Sequence, residues 1–316
     1  MNHLIRLGLI GAGRWGRIYI KTLNNLSGVE LTRLYSSNPE SAAVVGPTCE
    51  ITCDWRALIK AGDIDGVIIA TPPALHAEMV EAAVTTGLPS MVEKPLTMDL
   101  DAAVHLQKVV KQSGALVLVD HVYLFHPGYI ALKEQAKALG PIRSIQSVGG
   151  NWGPFRPDVP VLWDWGPHDV ALCLDLLGEM PTAVDAVRQL ARETNEGYGE
   201  IVSLQLDFPS GVSAMITVGN IMQEKKRLFA VYFDGHVLML DDLAEHKLIM
   251  RAFKGGTLAD QTFGTPISVS ADLPLSRAVE AFVAGINGGS RESFGIALGV
   301  DVVRVLNDSQ SAMRLR

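Results

Sequence analysis

The sequence contains little cysteine, little charge and no long run of apolar or basic residues. Its three cysteines are Cys49, Cys53 and Cys173. They lack paired CxxC spacing, so neither a disulfide framework nor a metal site is predicted, and a reducing compartment is favoured. The opening apolar stretch is broken by glycines and is much shorter than the about 20 residues of a membrane span. It also lacks a signal-peptide cleavage pattern, so we expect a cytoplasmic protein with no membrane partner.

Basic residues are outnumbered by acidic ones, 27 to 34, which gives a net charge of −7. Without a Lys/Arg-rich stretch, nucleic acid is not an expected partner. The composition, 48% hydrophobic and 19% charged, is typical of a globular protein and excludes a disordered one. A chain of 316 residues is longer than the chains that usually fold around a single hydrophobic core. Two domains are therefore expected, with small molecules and further copies of the chain as partners.

Short apolar runs alternate with helical patterns in the first part of the chain. The runs occupy residues 5–10, 31–35, 66–70, 90–92 and 116–119, and the helical patterns occupy 14–26, 55–61, 74–86 and 99–113. This alternation predicts a parallel sheet covered by helices on both faces. The handedness of the crossovers favours a doubly wound Rossmann fold over residues 1–121.

The pattern changes after residue 121. Helices are expected near 127–139 and from about 164 to 177, on either side of a Gly/Pro-rich passage at about 149–160. Strand-like runs follow at 183–191, 200–208, 212–219, 227–233 and 236–240, and helical patterns at 275–287 and 296–314. Short turn signals join several of the strands, as in antiparallel hairpins. Residues 122–316 are therefore predicted to form an α+β domain with a largely antiparallel open sheet.

The hexapeptide GAGRWG follows the first strand and opens the first helix. In a dinucleotide fingerprint, Gly11 allows the tight turn, Gly13 lets the backbone approach the pyrophosphate, and Gly16 lets helix and strand pack closely. Arg14 and Trp15 occupy the positions between the last two glycines. The free N–H groups of the helix N-terminus favour an anion here, so the motif predicts NAD(P) binding over a purely structural turn.

The end of the second strand normally selects between NAD and NADP. A carboxylate there binds the adenosine ribose of NAD and repels the phosphate of NADP. This sequence has Ser36 and Ser37 instead of an acid. Both serines can donate to a phosphate and Arg14 can reach it, although no basic residue follows the serines. The pattern favours NADP slightly over NAD.

Two further motifs lie at the carboxyl ends of predicted parallel strands, where doubly wound sheets bind ligands. They are ATPPALH at residues 70–76 and EKP at residues 93–95. The structural alternatives are that Lys94 is a solvated surface lysine and that His76 simply lies on the surface of a helix. The position supports cofactor contacts by Thr71, Pro72, His76, Glu93 and Lys94 as much as it supports these alternatives.

The segment LWDWGPHD, residues 162–169, contains a third group of functional candidates. Proline is tolerated in the first turn of a helix, so Pro167 predicts a helix start just before it. Asp164 and His168 are then one turn apart and can face the same space. His168 is a credible proton acceptor because histidine titrates near neutrality. Alternatively, Asp164 or Asp169 simply caps the helix.

Three more residues are weaker candidates for substrate contacts. Tyr123 and His126 lie near the expected domain junction, where histidines are often structural. Arg156 precedes the LWDWGPHD helix and can bind an anionic group, although a loop arginine is more often in a surface ion pair.

Together, GAGRWG, ATPPALH, EKP and DWGPHD resemble the glucose-fructose oxidoreductase, inositol dehydrogenase and MocA family over essentially the full chain. The resemblance implies a Rossmann domain, a second domain whose open sheet often forms an oligomer interface, and a homo-oligomer such as a dimer or tetramer. It also implies oxidation or reduction at a sugar or cyclitol hydroxyl, with Lys94, Asp164 and His168 as catalytic residues. The stretch FRPDVPVLWDWGPHD resembles a subgroup encoded with polysaccharide-biosynthesis enzymes, some of which act on nucleotide sugars.

The chemistry of these residues agrees with that resemblance. Oxidation of a secondary alcohol needs a base for the hydroxyl proton, and His168 is the candidate. Lys94 would stabilise negative charge on the reacting oxygen, and Asp164 would orient His168 or the sugar. Two rivals remain, an NAD-dependent glycosidase of the same fold and a non-catalytic protein that binds a cofactor or a sugar.

Overall fold

The computed structural model describes residues 4–254, 257–258, 264–289 and 295–315. The chain divides into two compact units, Met1–Val122 with Leu273–Val303, and Tyr123–Asp272 with Arg304–Arg316. Each unit contains its own sheet. Among the described residues, no helix is both long and apolar enough to cross a membrane.

The first unit begins with alternating strands and helices. They are β1 (Ile5–Ile10), α1 (Arg14–Leu23), β2 (Val29–Tyr35), β3 (Glu50–Thr52), α2 (Trp55–Ile59), β4 (Gly66–Ile69), α3 (His76–Thr85), β5 (Ser90–Glu93), α4 (Leu100–Ser113) and β6 (Val117–Asp120). The six strands are parallel, in the order β3-β2-β1-β4-β5-β6. The order reverses direction at β1 and β4, where doubly wound sheets bind ligands beyond their carboxyl ends. The predicted fold class of this part is confirmed.

Local sequence explains the limits of these elements. The strands β4, β5 and β6 are buried along their whole length, as their continuous apolar runs predict. Helix α4 begins where Asp99 accepts a hydrogen bond from the Ala102 N–H, and it ends at Gly114 in the left-handed region. The strand β3 was not predicted, because three residues are too few to show a pattern.

The second unit contains a mixed sheet of ten strands. Its elements, with the last helices and strand of the chain, are α5 (Pro127–Ala136), β7 (Ser144–Trp152), α6 (Val161–Leu177), β8 (Ala183–Thr194), β9 (Gly197–Asp207), β10 (Ser213–Gly219), β11 (Ile221–Tyr232), β12 (His236–Asp241), β13 (Leu248–Lys254), β14 (Thr257–Leu258), β15 (Thr265–Ile267), α7 (Pro274–Ile286), α8 (Ile296–Ala312) and β16 (Met313–Leu315). The order is β14-β13-β12-β11-β7-β10-β9-β8-β16, and β15 also pairs with β13. Only the β7–β10 and β8–β16 pairs are parallel among those described. The prediction of a largely antiparallel sheet is confirmed.

Helix α7 returns to the first unit although it lies near the end of the sequence. Gly66, at the start of β4, leaves the space that its side chains need. A Cβ at this glycine would lie 2.8 Å from Ile286 Cδ1 and 3.0 Å from Phe282 Cζ. The first part of α8 also belongs to this unit, and its remaining residues, from Arg304, belong to the second.

Several element limits in the second half of the chain differ from the expectations, and three of the differences change how a segment is interpreted. Helix α6 begins at Val161, so Pro167 lies inside the helix and not in its first turn. A proline there cannot donate to the carbonyl of Trp163, but the helix continues, and its burial from His168 to Leu174 stabilises it. The Gly/Pro-rich passage begins as the strand β7, and α8 ends at Ala312 before β16.

A buried ion pair joins α6 to the sheet of the second unit. The Asp169 carboxylate on α6 lies 3.0 Å from Arg227 Nη1 on β11, and both side chains are less than a tenth exposed. Ser147 on β7 donates to the same carboxylate at 2.5 Å. Gly149 on β7 leaves room for the guanidinium, because a Cβ there would collide with it. The pair therefore fixes α6 against β7 and β11.

Replacing Arg227 by methionine should destabilise the second unit strongly. The change keeps the length of the side chain but leaves Asp169 buried without its partner, which typically costs about 3–5 kcal/mol. Urea unfolding measures this loss. Arg143→Met is the matched control, because Arg143 pairs with Asp234 on the surface of the same unit, and it should leave the unfolding midpoint unchanged. Equal midpoints for the two variants would contradict the stabilising role of the buried pair.

Candidate active site

The turn between β1 and α1 brings three backbone segments very close together. Gly11 has a φ of +105°, and a Cβ on it would lie 2.6 Å from the carbonyl oxygen of Ala70. A Cβ on Gly16 would collide with the carbonyl oxygen of Gly11. Only glycine fits at these two positions, which place the start of α1 at the carboxyl end of β1.

Gly13 differs from these two glycines because its surroundings are open. It is the N-cap residue of α1 and offers no side chain to the N–H groups of the first turn. No described atom lies within 4 Å of the position that a Cβ would take. An open space beside uncapped N–H groups fits the pyrophosphate of a dinucleotide. Arg14 is exposed and Trp15 half-buried in that first turn.

The two serines after β2 differ in their surroundings. Ser36 is buried, its hydroxyl lies 2.7 Å from the Ser41 hydroxyl, and it accepts the N–H of Asn38 at 3.1 Å. Ser37 is exposed. The Ser36 hydroxyl is thus occupied within its loop, while Ser37 is accessible to a ligand.

His76 connects the segments that follow β4 and β5. Its ring is fully buried, with Nδ1 2.8 Å from the carbonyl oxygen of Pro95 and Nε2 2.8 Å from that of Thr71. Thr71 is half-buried and Pro72 is exposed. The histidine therefore holds both segments in place, and its neighbours supply the accessible surface.

Glu93 and Lys94 lie at the carboxyl end of β5, and both are buried. The Lys94 N–H donates to the Glu93 carboxylate at 3.2 Å. Asp120, paired with Glu93 in the β5–β6 register, and His121 are buried beside them. The three motifs expected to contact a cofactor, GAGRWG, ATPPALH and EKP, thus lie at the carboxyl ends of three parallel strands of the first sheet.

The second unit carries Asp164 and His168 on successive turns of α6. His168 is buried, and Asp164 is 15% exposed. Neither Asp164 nor Asp169 caps the helix, because its N-cap residue is Pro160. The alternative of a capping aspartate is therefore wrong. Asp169 serves the ion pair with Arg227 instead.

Tyr123 lies between His168, His126 and Arg227. Its ring meets that of His168 edge-on at 5.0 Å and stacks on His126 at 6.2 Å. The guanidinium carbon of Arg227 lies 3.9 Å from its centroid. Burial raises the pKa of the Tyr123 hydroxyl, with the charge of Arg227 opposing, so Tyr123 is a neutral donor near neutrality.

Both ring nitrogens of His126 have partners in the second unit. Nδ1 accepts the N–H of Gly128 at 3.0 Å, so Nε2 carries the proton and donates to Asp242 at 3.0 Å. A cavity of about 10 Å³ adjoins Tyr123, His126 and Arg227. That volume holds about one water molecule. The cavity is therefore too small for a sugar.

Arg156 is paired with two acids. Its Nη2 lies 2.9 Å from Asp158 and its Nη1 lies 3.3 Å from Asp164. The arginine thus holds the Asp164 carboxylate from the loop before α6. The surface ion pair expected of a loop arginine is present with Asp158, but the second contact reaches a candidate catalytic residue.

Several residues beside these candidates were not singled out from the sequence. They are Tyr19, Asp120, His121 and Arg227, together with Asp169, which was considered only as a helix cap. Asp120 and His121 end a parallel strand, so the rule applied to EKP would have found them. Nothing in the sequence indicates that Tyr19 or Arg227 lies near a functional residue, because both contacts depend on tertiary packing.

Models of one protein family match most of the chain. A model described as an oxidoreductase family with an NAD-binding Rossmann fold matches residues 5–121. A model of the GFO/IDH/MocA C-terminal domain matches residues 134–237.

Individual proteins are similar over most of their length. UDP-N-acetylglucosamine 3-dehydrogenase of Acidithiobacillus ferrooxidans is 26% identical over 248 residues, 77% of this chain and 75% of the relative. Inositol 2-dehydrogenase of Rhizobium meliloti is 28% identical over 67% of this chain and 68% of the relative. A solved structure described as an oxidoreductase of Magnetospirillum magnetotacticum MS-1 has a TM-score of 0.92 and is 42% identical, covering 96% of this chain and 99% of that one.

Replacing Gly13 by valine should separate cofactor binding from folding. The side chain enters open space, so the fold is kept, but it fills the path of the pyrophosphate. We expect the Kd for NAD(P) to rise at least about tenfold, or about 1.4 kcal/mol. Titration calorimetry measures the affinity and circular dichroism the fold. Gly235→Val, at an equally open position of the second unit, should leave the Kd unchanged. Unaltered affinity in folded Gly13→Val would contradict the binding site.

Proposed function

The chain belongs to the GFO/IDH/MocA family of oxidoreductases, and we propose that it transfers a hydride between a nicotinamide cofactor and a secondary hydroxyl of a sugar, cyclitol or nucleotide sugar. The activities for which two relatives are named, on inositol and on UDP-N-acetylglucosamine, support this substrate class. The observation that most directly supports this reaction is that Asp164 and His168 lie one turn apart on α6. Lys94 supplies a cation at the carboxyl end of β5.

The first unit would hold the cofactor at its glycine turn. The N–H groups at the start of α1 would bind the pyrophosphate, and the open space at Gly13 would admit it. A bound nicotinamide would supply the hydride chemistry at the substrate carbon. The residues of the chain then have to bind the substrate, exclude water and move the hydroxyl proton.

His168 is proposed as the base that takes the hydroxyl proton. Oxidation removes a proton from oxygen as the hydride leaves carbon, and an imidazole can accept it near neutral pH. The edge of the Tyr123 ring packs on His168 and restricts its rotation. Asp164, held by Arg156, is proposed to orient His168 or a neighbouring hydroxyl of the substrate.

Lys94 is proposed to stabilise the reacting oxygen. Negative charge develops on that oxygen as its proton leaves, and a preorganised cation in a buried site stabilises it more than water would. Lys94 is buried at the end of β5, and its backbone N–H is fixed by Glu93. In the opposite direction Lys94 would polarise the carbonyl and protonated His168 would return the proton.

The test of this function is a substrate panel combined with two variants. Sugars, cyclitols and nucleotide sugars are assayed for reduction of NAD(P), and at least one should give turnover. With the best substrate, His168→Ala should lower kcat by about 10²–10⁴, the usual range for general acid–base catalysis, with cofactor affinity kept. Lys94→Met should also lower kcat, and the double variant should lose less than the product of both losses.

His236→Ala is the matched control, because His236 is an exposed histidine of the same unit as His168. Its turnover should equal that of the wild type. Near wild-type kcat in folded His168→Ala would place the base elsewhere, with Tyr123 the next residue to test. Glycoside cleavage without net change in the cofactor would instead support the glycosidase.

We propose NADP as the preferred cofactor, with a modest margin. No acid ends β2, and the exposed Ser37 and Arg14 can both donate to a 2′-phosphate. Ser37→Asp should shift the ratio of Kd values toward NAD by about tenfold, because it places a negative charge beside the phosphate. Ser37→Asn introduces a side chain of the same shape as aspartate but without its charge, and it should shift the ratio of Kd values much less. A wild type that binds NAD more than about tenfold tighter would contradict the preference.

A further inference from the structure

The loop after β2 is fixed by hydrogen bonds that converge on one serine. Ser36 is buried, and its hydroxyl lies 2.7 Å from that of Ser41 and accepts the N–H of Asn38 at 3.1 Å. Its own N–H donates to the carbonyl of Thr52, the last residue of β3, at 3.2 Å. The thiol of Cys53 lies 3.8 Å from its carbonyl oxygen. Ser36 is therefore held through its side chain and through both of its backbone polar groups.

Ser41 fixes the other end of this loop. It is completely buried, and its N–H donates to the carbonyl of Asn38 at 3.0 Å. The side-chain oxygen of Asn38 in turn accepts the N–H of Glu40 at 3.0 Å. Serine is mostly an exposed residue, so two buried serines whose hydroxyls contact each other are unusual. The loop from Ser36 to Ser41 is thus held in one shape by its own hydrogen bonds.

Ser37 lies inside this loop but takes no part in its hydrogen bonds. It is exposed, and within the described part of the chain its N–H and its hydroxyl donate to no protein group. The next residue, Asn38, is also exposed, and the loop uses the oxygen of its amide. Donors that follow one another along a turn form a site for an anion. Ser37 and Asn38 therefore offer such a set of donors to a ligand.

The position of the loop agrees with a phosphate as its ligand. The carboxyl end of the second strand of a dinucleotide-binding sheet lies beside the adenosine ribose, where NAD enzymes carry an acid. Here Ser36 is the first residue after β2, and the loop itself uses its hydroxyl. A 2′-phosphate offers only acceptors, which match the donors of Ser37. Glu40 is the one acid between residues 36 and 41, and its side chain is exposed, so solvent screens it.

We propose that Ser36 and Ser41 are positioning residues for the cofactor, because their contact fixes the loop in the shape that presents the Ser37 N–H and hydroxyl to the 2′-phosphate of NADP. This inference rests on the proposed preference for NADP. A loop that is ordered before binding loses little conformational freedom when the phosphate binds. The two buried serines do not touch the phosphate, and yet the preference between the two cofactors depends on them.

Cofactor affinity tests this role without any turnover. Ser36→Ala and Ser41→Ala each remove the contact between the two hydroxyls, and titration calorimetry gives the Kd values for NADP and for NAD. We expect each variant to raise the Kd for NADP about tenfold, and the Kd for NAD less than about twofold, because NAD has no 2′-phosphate for the loop to bind. A general loss of structure would instead weaken both cofactors alike.

Ser27→Ala is the matched control, because Ser27 is an exposed serine between α1 and β2, and it should change neither Kd. Equal changes in both Kd values, or no change in either, would overturn the positioning role. A wild type without a preference for NADP would contradict the cofactor proposal and this inference with it, whereas a wild type that prefers NADP beside variants with the same ratio would contradict this inference alone. Neither result depends on whether any sugar is turned over.

Hydrogen exchange of the apoprotein gives a second measurement that needs no ligand. The N–H groups of Asn38 and Ser41 are bonded within the loop, so NMR should detect slowed exchange at both in the wild type. Ser36→Ala and Ser41→Ala should speed this exchange several-fold, because the loop opens more often when the contact is lost. Ser27→Ala should leave it unchanged. Exchange that is as slow in both variants as in the wild type would overturn the positioning role.

Discussion

The close contact between backbone segments at the β1–α1 turn is the constraint on which the first unit depends. Gly11 lies against the Ala70 carbonyl, and Gly16 against the carbonyl of Gly11 itself. These contacts fix where α1 begins and which way it points. They leave Gly13 open at the helix N-terminus. They also carry Tyr19, one turn further along, to Asp120 at the end of β6, so one turn places both the uncapped N–H groups of α1 and the hydroxyl that donates to Asp120.

The contacts that fix helix α6 are a comparable constraint in the second unit. Asp169 ties it to β11 and β7 through Arg227 and Ser147. His168 is the adjacent residue, so the same contacts hold its backbone in place. Tyr123 packs on both Arg227 and His168, which couples the imidazole to the ion pair through a ring.

Sequence patterns predicted the parts of the molecule that repeat a simple physical rule. Continuous apolar strands alternating with helices predicted the parallel, doubly wound sheet of the first unit, and hairpin signals predicted the largely antiparallel sheet of the second. The start of α6 was misplaced because Pro167 is a strong breaker signal, while the burial that overrides it depends on tertiary packing. The return of α7 to Gly66 involves residues more than two hundred positions apart, which no local pattern reveals.

The same limit applies to the site. Lys94, Asp164 and His168 were chosen from short motifs, and the function assigned to them is still a proposal. Tyr19 follows a recognised motif, yet its partner Asp120 is about a hundred residues away. Ser36 and Ser37 are adjacent and chemically identical, but only Ser37 is exposed. Exposure and long-range contacts depend on packing. They therefore distinguish residues that look equivalent in a sequence motif.

The two buried charge clusters differ in a way that bears on their roles. Asp169 and Arg227 balance each other, and a balanced buried pair can be explained by its stabilising contacts alone. The group at the ends of β5 and β6 has two acids for one lysine. Well-packed apolar residues would usually be at least as stable in such a place. These buried acids are therefore poorly explained by stability alone, and they lie at the carboxyl ends of strands, where doubly wound sheets bind their ligands.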